Sequence, residues 1–218
     1  MVNTEKKISI VDYGTSNLGS LKRAFLKIKA NIEIINSPNN IVKADCLVLP
    51  GVGSFGSGIN KLKNFEIFES IKRFADKGNP LLGICLGKQL LLSASEENSE
   101  INGLDLIKGK VIKIPTYFQS EVVRKIPHIG WAQLLINKEV YIKKNNIFDN
   151  ITEEDYFYFV HSFMCMPENK KTIIANSLYK KQLISAVIQY ENILGFQFHP
   201  EISGKSGLKI INNFIETL

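Results

Sequence analysis

A cysteine stands between two glycines where an apolar run meets a helix-like one. The run from Leu81 to Ile84 leads into Cys85, Leu86 and Gly87, and Gly83 completes a Gly-x-Cys-x-Gly pattern. A strand that passes through this pattern into a helix is the thiol form of a nucleophile elbow, in which glycines let neighbouring backbones come into contact. The helix N-terminus favours a thiolate, and the Leu86 N–H is a candidate oxyanion donor. The competing interpretation, an ordinary buried cysteine, is disfavoured by the flanking glycines.

A nucleophilic cysteine needs a base, and the sequence offers His128, His161 and His199. His199 is followed by Pro200 and Glu201 at the end of an apolar strand, and strand side chains two positions apart can face the same side. Glu201 would then accept the second imidazole N–H and fix the tautomer, as the third member of a triad. His128 and His161 have no carboxylate at the matching offset, so we expect them to be structural or substrate-adjacent.

A glycine-rich segment from Pro50 to Gly56 follows another apolar run. It lacks the Gly-Lys-Ser/Thr ending of a phosphate-binding loop and the glycine spacing of a dinucleotide site. Backbone donors near the nucleophile suit a second contribution to an oxyanion hole better. A plain tight turn is the alternative.

The elements that must position these groups alternate in the first part of the chain. Strands are predicted at about 7–12, 31–35, 45–49 and 80–85, and helices at about 18–29, from 38, at 65–77 and from 86 to 92. This rhythm is typical of right-handed βαβ units and predicts a parallel sheet covered on both faces.

Beyond about Gly103 the pattern changes to short strands without long helices between them. The candidates are 111–114, 133–136, 156–163, 172–179 and 183–190, followed by a final helix at about 206–218. Glu191 and Asn192 separate two alternating apolar runs, so the last strand pair is predicted to be antiparallel.

Composition narrows the class of protein. The 218 residues are 44% hydrophobic and 22% charged, which is typical of one folded globular domain spanning residues 1–218. The net charge of +6 comes from scattered lysines rather than one basic stripe, so no nucleic-acid partner is expected. Three cysteines without CxxC spacing, a short apolar start and no membrane-length apolar run indicate a cytoplasmic protein without a structural zinc site or a membrane partner.

Together these segments resemble the class I, triad-type glutamine amidotransferases, and within them the glutaminase subunits of imidazole glycerol phosphate synthase. Further matching segments cover nearly the whole chain: 11–14 with 17–18, 50–56, 103–104 with 107–109, 127–131, 158–162 and 198–213. The resemblance implies an α/β fold of the three-layer, flavodoxin-like type. In that fold a mixed, mostly parallel central sheet is flanked by helices and carries an antiparallel C-terminal extension.

The resemblance also implies a reaction and roles for the residues. Cys85, His199 and Glu201 would hydrolyse glutamine without a cofactor or metal, and Val52 and Leu86 would supply oxyanion N–H groups, Val52 after a loop rearrangement. The residues expected to bind glutamine are Gly51, Gly53, Gln89, His161, Ser162 and Phe163. Those expected to face the synthase partner are Asn17, Trp131 and Tyr158.

By the same resemblance, the partner is a (βα)8-barrel cyclase that joins the ammonia to a phosphoribulosyl-formimino nucleotide in histidine biosynthesis. The products are imidazole glycerol phosphate and an aminoimidazole carboxamide nucleotide. Paralogous subunits supply ammonia to sugar-modifying synthases for bacterial surface polysaccharides, which is the second enzymatic interpretation. A catalytically silent regulatory subunit is the alternative of another class.

Departures from the family pattern concern the surroundings of the triad. The chain has Lys88 after the elbow, Thr15 and Ser16 after Gly14, and Ile202 after Glu201. We expect these positions to lie near the glutamine pocket or the partner face, where they bear on the identity of the partner rather than on glutamine hydrolysis.

Overall fold

The computed structural model describes residues 6–14, 18–97, 100–118, 121–122, 125–137 and 146–218. The helices are α1 (Leu18–Lys27), α2 (Pro38–Ile41), α3 (Phe55–Asn64), α4 (Phe68–Asp76), α5 (Leu86–Leu90) and α6 (Gly204–Glu216), with 3-10 helices at Lys170–Thr172 and Pro200–Ile202. The strands up to residue 122 are β1 (Ile8–Val11), β2 (Ile32–Ile35), β3 (Cys46–Leu49), β4 (Leu81–Ile84), β5 (Leu92–Ser95), β6 (Ile101–Asn102), β7 (Ile107–Lys113), β8 (Tyr117–Phe118) and β9 (Glu121–Val122). Those that follow are β10 (His128–Gln133), β11 (Leu135–Ile136), β12 (Tyr156–His161), β13 (Phe163–Pro167), β14 (Ile173–Tyr179), β15 (Gln182–Tyr190) and β16 (Ile193–Phe196).

The central sheet has eight strands in the order β11-β14-β15-β16-β4-β3-β1-β2. The pairs β16–β4, β4–β3, β3–β1 and β1–β2 are parallel, whereas the remaining pairs on the β11 side are antiparallel. The predicted mixed sheet with an antiparallel C-terminal part is therefore confirmed, including the antiparallel pairing on either side of Glu191 and Asn192.

Helices cover both faces of this sheet because its inner strands are apolar on both sides. Every residue of β1, β3, β4 and β16 is buried, as expected for strands of a parallel sheet between two helical layers. One layer is formed by α1 and α6, where Phe25 and Phe214 belong to the same buried cluster. The other contains α2 to α5, with Ile59 and Phe74 in a second cluster. This is the predicted three-layer arrangement.

A second, four-stranded sheet in the order β13-β7-β5-β6 was not predicted. The apolar run at Leu90 to Leu92 favoured a longer helix after the elbow, but α5 ends at Leu90 and β5 begins at Leu92. Pairing of β5 with β6 and β7 outweighs the local helix preference there. None of the helices in the described ranges is long and apolar enough to cross a membrane.

Candidate active site

Cys85 occupies the sharp turn between β4 and α5. Its φ of 52° lies in the left-handed region, which is rare for a residue with a side chain. The Cys85 N–H donates to Phe196 O at 2.7 Å, so the neighbouring strand β16 holds this backbone conformation in place. The residue is 7% exposed. The predicted elbow is therefore present, with its strain stored at the candidate nucleophile.

The glycines of the elbow have the packing reason that the sequence suggested. A Cβ added to Gly87 would lie 1.8 Å from Leu49 O, and one added to Gly83 would lie 2.7 Å from Lys88 N. Both neighbours are backbone atoms, which cannot move aside as a side-chain end can. Because these two positions lack side chains, α5 can pack closely against the ends of β3 and β4.

His199 and Glu201 form a hydrogen-bonded pair next to the elbow. His199 Nδ1 and Glu201 Oε1 are 2.8 Å apart, and both side chains are largely buried. The predicted reason for this pairing was wrong, because Glu201 is not part of a strand. The strand ends at Phe196, His199 is extended, and a 3-10 turn beginning at Pro200 brings the carboxylate back to the imidazole.

The other imidazole nitrogen of His199, Nε2, is not held by a structural hydrogen bond within the described ranges. His199 Nε2 is buried and has no hydrogen-bond partner among the described residues. Burial by itself lowers the pKa of His199, but interactions with the Cys85 thiol and Glu201 outweigh burial and raise the pKa to about 10. An imidazolium beside Cys85 is the charge state that stabilises a thiolate.

Two backbone contacts hold His199 at this place. Its N–H donates to Tyr158 O at 2.9 Å, and the Ser203 hydroxyl donates to His199 O at 2.6 Å. The same hydroxyl oxygen accepts from Tyr158 N at 2.9 Å. Strand β12 therefore fixes the position of the imidazole, both directly and through Ser203.

A cavity of about 430 Å³ opens over Cys85, which is within the usual range of about 300 to 1,000 Å³ for small-molecule sites. Its wall includes most of the residues that the sequence singled out: Val52, Gly53, Cys85, Leu86, Gln89, His161, Ser162, Phe163 and His199. Gly51 lines an adjoining cavity of about 210 Å³, together with Glu201. The sequence patterns did not identify Glu97, Pro127 and Val160, which also line the larger cavity.

A larger groove of about 960 Å³ lies elsewhere, between α4 and the second sheet. Its wall carries lysines and acidic side chains in similar number, without a cysteine or histidine. The smaller cavity is the candidate site because the nucleophile, the His199 imidazole and the Gln89 carboxamide converge there. No group of His, Cys, Asp or Glu suited to a metal ion occurs among the described residues.

The imidazoles of His128 and His161 contact each other, and His161 lines the cavity. His128 Nδ1 and His161 Nε2 are 3.2 Å apart, and His161 Nδ1 lies 2.8 Å from Phe163 O. Burial lowers the pKa of His128 to about 4 and that of His161 to about 3, so both rings are neutral near pH 7. Neither pairs with a carboxylate in the part of the chain that the structure describes, which leaves His199 as the candidate base.

The sequence pattern placed Lys88 near the glutamine pocket or the partner face, and the structure places it close to Cys85 but below the cavity wall. Its side chain is fully buried beneath the elbow, and Nζ donates to the Ser185 carbonyl and, at 3.3 Å, to the Ser185 hydroxyl oxygen. Burial lowers the pKa of Lys88. The residue packs into the core against Gly195, where an added Cβ would lie 2.6 Å from Lys88 Cγ. It is neither a wall residue of the cavity nor part of the partner face.

The outer face of the β10–β12 pair is apolar and exposed. Trp131 is 54% and Ile129 is 59% exposed, and Trp131 contacts Tyr158 edge-on with ring centroids 5.6 Å apart. Val160 extends this face to the cavity mouth, and Ile202 is exposed as well. Asn17, Thr15 and Ser16 lie outside the described residues.

One family model and several named relatives match nearly the whole chain. The family model "Glutamine amidotransferase class-I" matches residues 9–218. A Legionella pneumophila (strain Paris) protein named imidazole glycerol phosphate synthase subunit HisH 1 is 48% identical over 96% of this chain and 98% of its own. A Methanothermobacter thermautotrophicus protein named imidazole glycerol phosphate synthase subunit HisH is 42% identical over 97% and 98%.

Solved structures show the same fold at low sequence identity. One described as a glutamine amidotransferase superposes with a TM-score of 0.71 at 13% identity, covering 97% of this chain and 99% of that one. Another, described as PurLQS from Thermotoga maritima, gives a TM-score of 0.68 at 16% identity, with 97% of this chain and 98% of that one covered.

Proposed function

The chain belongs to the class-I glutamine amidotransferase family, and from that premise we propose that it is the glutaminase subunit of an imidazole glycerol phosphate synthase. It hydrolyses glutamine to glutamate and ammonia and passes the ammonia to a (βα)8-barrel cyclase. Near-full-length identity of 42% and 48% to proteins named as this subunit supports the assignment. The observation that carries the chemistry is the strained Cys85 elbow beside the His199–Glu201 pair at the cavity.

In the proposed mechanism, His199 Nε2 takes the Cys85 proton and the sulfur attacks the carboxamide carbon of glutamine. The C–N bond of the tetrahedral intermediate then breaks, and the imidazolium returns its proton to the departing ammonia. Water, deprotonated by His199, hydrolyses the resulting thioester and releases glutamate and the free thiol. Glu201 keeps Nδ1 protonated, so that Nε2 can accept and donate throughout.

The backbone around the cavity is proposed to stabilise the oxyanion. Leu86 begins α5 directly after the nucleophile, and Val52 lines the same cavity. The neighbouring Gly53 has a φ of 106° and open space around its Cα, which suits a peptide that must rotate. We assign the oxyanion N–H groups to Leu86 and, after this rotation, to Val52.

The partner is proposed to cover the outer face of the β10–β12 pair, including Trp131, Tyr158 and Ile129. Aromatic residues with large exposed areas are typical of the centres of protein interfaces. The apolar cavity of about 210 Å³ beside His199 reaches this face at Val160, and a small neutral molecule such as ammonia can leave by that route. All cysteines of the described ranges are free, in keeping with a reducing compartment such as the cytoplasm.

Glutamine turnover with and without the partner tests the proposal. We expect the isolated chain to be slow, because the proposed rotation of the Val52 peptide accompanies loading of the partner, and the complex with a substrate-loaded (βα)8-barrel cyclase to be at least about 100-fold faster. Glutamate release would be measured in a coupled assay. Full activity of the isolated chain would contradict the coupling, and stimulation only by a sugar-modifying synthase would favour the polysaccharide paralogue.

Glu97 is proposed to bind the α-ammonium of glutamine. It is a carboxylate on the cavity wall, and Oε2 accepts from Phe55 N at 2.7 Å, which fixes the side chain. We expect Glu97→Gln to raise KM for glutamine by about 10- to 100-fold with little change in kcat, because this contact is the same in the ground and transition states.

The matched control for this prediction is Glu100→Gln, the same change at an exposed residue that pairs with Lys110. It should leave both kinetic constants unchanged. A loss of kcat rather than of affinity in Glu97→Gln would contradict the assignment.

A further inference from the structure

Gln197 lies directly behind the candidate nucleophile. The residue follows β16, is fully buried, and places Nε2 at 4.0 Å from Cys85 Sγ. Its backbone N–H donates to Ala186 O at 2.8 Å, so pairing with β15 fixes the main chain at this position. Gln197 and His199 approach the same sulfur environment from one short segment.

The orientation of the Gln197 amide follows from its neighbours rather than from the sulfur. Gln89 Nε2 donates to Phe163 O at 3.2 Å, and a carbonyl can only accept. The same nitrogen is 3.5 Å from Gln197 Oε1. Because Gln89 presents a donor, Gln197 must present its carbonyl to Gln89 and its N–H groups to Cys85.

The histidine pair anchors the other end of this chain of hydrogen bonds. His161 must donate from Nδ1 to Phe163 O, which leaves Nε2 as an acceptor for the Nδ1–H of His128. Both imidazoles are neutral near pH 7, because burial lowers the pKa of each. Phe163 O thus accepts from both His161 and Gln89, and the Gln197 amide, oriented by Gln89, is the last donor of the network and faces the sulfur.

We propose that Gln197 is a further catalytic residue. It donates a side-chain N–H to the sulfur of Cys85 once the thiol proton of Cys85 has moved to His199. A thiol is a weak acceptor, whereas a thiolate is a strong one. The buried amide thus gains most in the charge state that attacks the substrate. Gln89 acts as a positioning residue through Gln197. The inference rests on the proposed glutaminase function.

Gln197→Met tests the inference, because it keeps an unbranched side chain of similar length and removes the donor. A hydrogen bond to a charged group changes an equilibrium about 10- to 100-fold. Loss of the hydrogen bond lowers the fraction of thiolate, but the remaining thiolate is intrinsically more nucleophilic. The rate of thiolate attack therefore falls by only about half as much, on a logarithmic scale, as the thiolate equilibrium does. We therefore expect iodoacetamide to alkylate Cys85 about 3- to 10-fold more slowly in the isolated variant at pH 7.

Mass spectrometry would identify which cysteine is alkylated. Cys46 and Cys165 should stay unmodified because both are fully buried. The matched control is Gln182→Met, the same change at the first residue of β15, which should react like the unchanged chain. In the complex with the cyclase, Gln197→Met should lose about tenfold in kcat while KM for glutamine changes less than about threefold. Alkylation within twofold of the unchanged chain would overturn the inference.

Two further results keep the test decisive. If Gln197→Met does not fold, as judged by circular dichroism, Gln89→Met removes the group that orients Gln197, and alkylation should still slow at least about twofold. An unchanged rate in that variant would also overturn the inference. If the unchanged complex does not hydrolyse glutamine at all, the proposed function fails, while the alkylation comparison still decides the role of Gln197.

Discussion

Replacing Cys85 by alanine is expected to abolish glutamine hydrolysis, with a loss of at least about 10⁴-fold in kcat, because loss of the nucleophile of a triad removes the covalent route altogether. No other described thiol can substitute for it. Burial raises the pKa of Cys46 and of Cys165, and both side chains are fully buried outside the cavity wall. The measurement is glutamate release by the complex with the cyclase.

The same complex offers an internal control. Ammonium salts added in place of glutamine should sustain the synthase reaction of the Cys85→Ala complex, because the cyclase consumes ammonia whatever its source. Cys46→Ala is the matched variant, the same change at a buried cysteine in β3, and should keep its glutamine turnover. Glutamine-dependent ammonia production that survives in Cys85→Ala would defeat the enzymatic interpretation in favour of the silent regulatory subunit.

The elbow could be predicted from sequence because its requirements are local. A strand that turns sharply into a helix against a neighbouring strand needs glycines on either side of the turn, here Gly83 and Gly87. Cys85 takes the left-handed conformation that this turn imposes. The pairing of His199 with Glu201 was also predicted, but for a reason that the 3-10 turn at Pro200 replaces. His199 and Glu201 lie close together because only one residue separates them in the sequence, and not because they share one face of a strand.

Elements that depend on distant partners could not be found locally. Helix α3 contains Gly56 and Gly58, which favour a loop, yet Ser54 caps it by accepting from Ser57 N at 3.4 Å, and Ile59 and Leu62 are buried. The second sheet depends on pairing between β5 and β7, whose sequences show no mutual signal. Tertiary packing decides both cases.

Residues behind and around the nucleophile show the same limit. Lys88 and Gln89 are adjacent in sequence, but one enters the core and the other reaches the cavity, which is a consequence of the helical rotation between them. Gln197 had a usable signal, since it stands two positions before His199 at the end of the predicted strand. Glu97 had none, because only the fold brings it to Cys85.

Gly87→Ala is expected to destabilise the fold strongly. The added methyl group would lie 1.8 Å from Leu49 O and 2.7 Å from Leu49 C, at the buried end of β3. Neither atom can move without breaking the β3–β4 pairing at Leu49 and Gly83. We expect the free energy of unfolding to fall by at least about 3 kcal/mol, at the upper end of overpacking effects, which is a large share of the stability of a typical domain.

The effect on activity should be larger than the loss of folded protein explains. Gly87 N is 3.3 Å from the position of a Cβ on Gly51, so the elbow and the Pro50–Gly56 segment touch, and a displaced elbow carries both Leu86 and Cys85 away from Val52. Gly58→Ala is the matched control, because its Cβ would meet only the ends of Leu86 and Leu90 at 3.2–3.3 Å, which can shift. Urea unfolding with glutamine turnover per folded molecule would measure both effects, and equal behaviour of the two variants would contradict the packing role of Gly87.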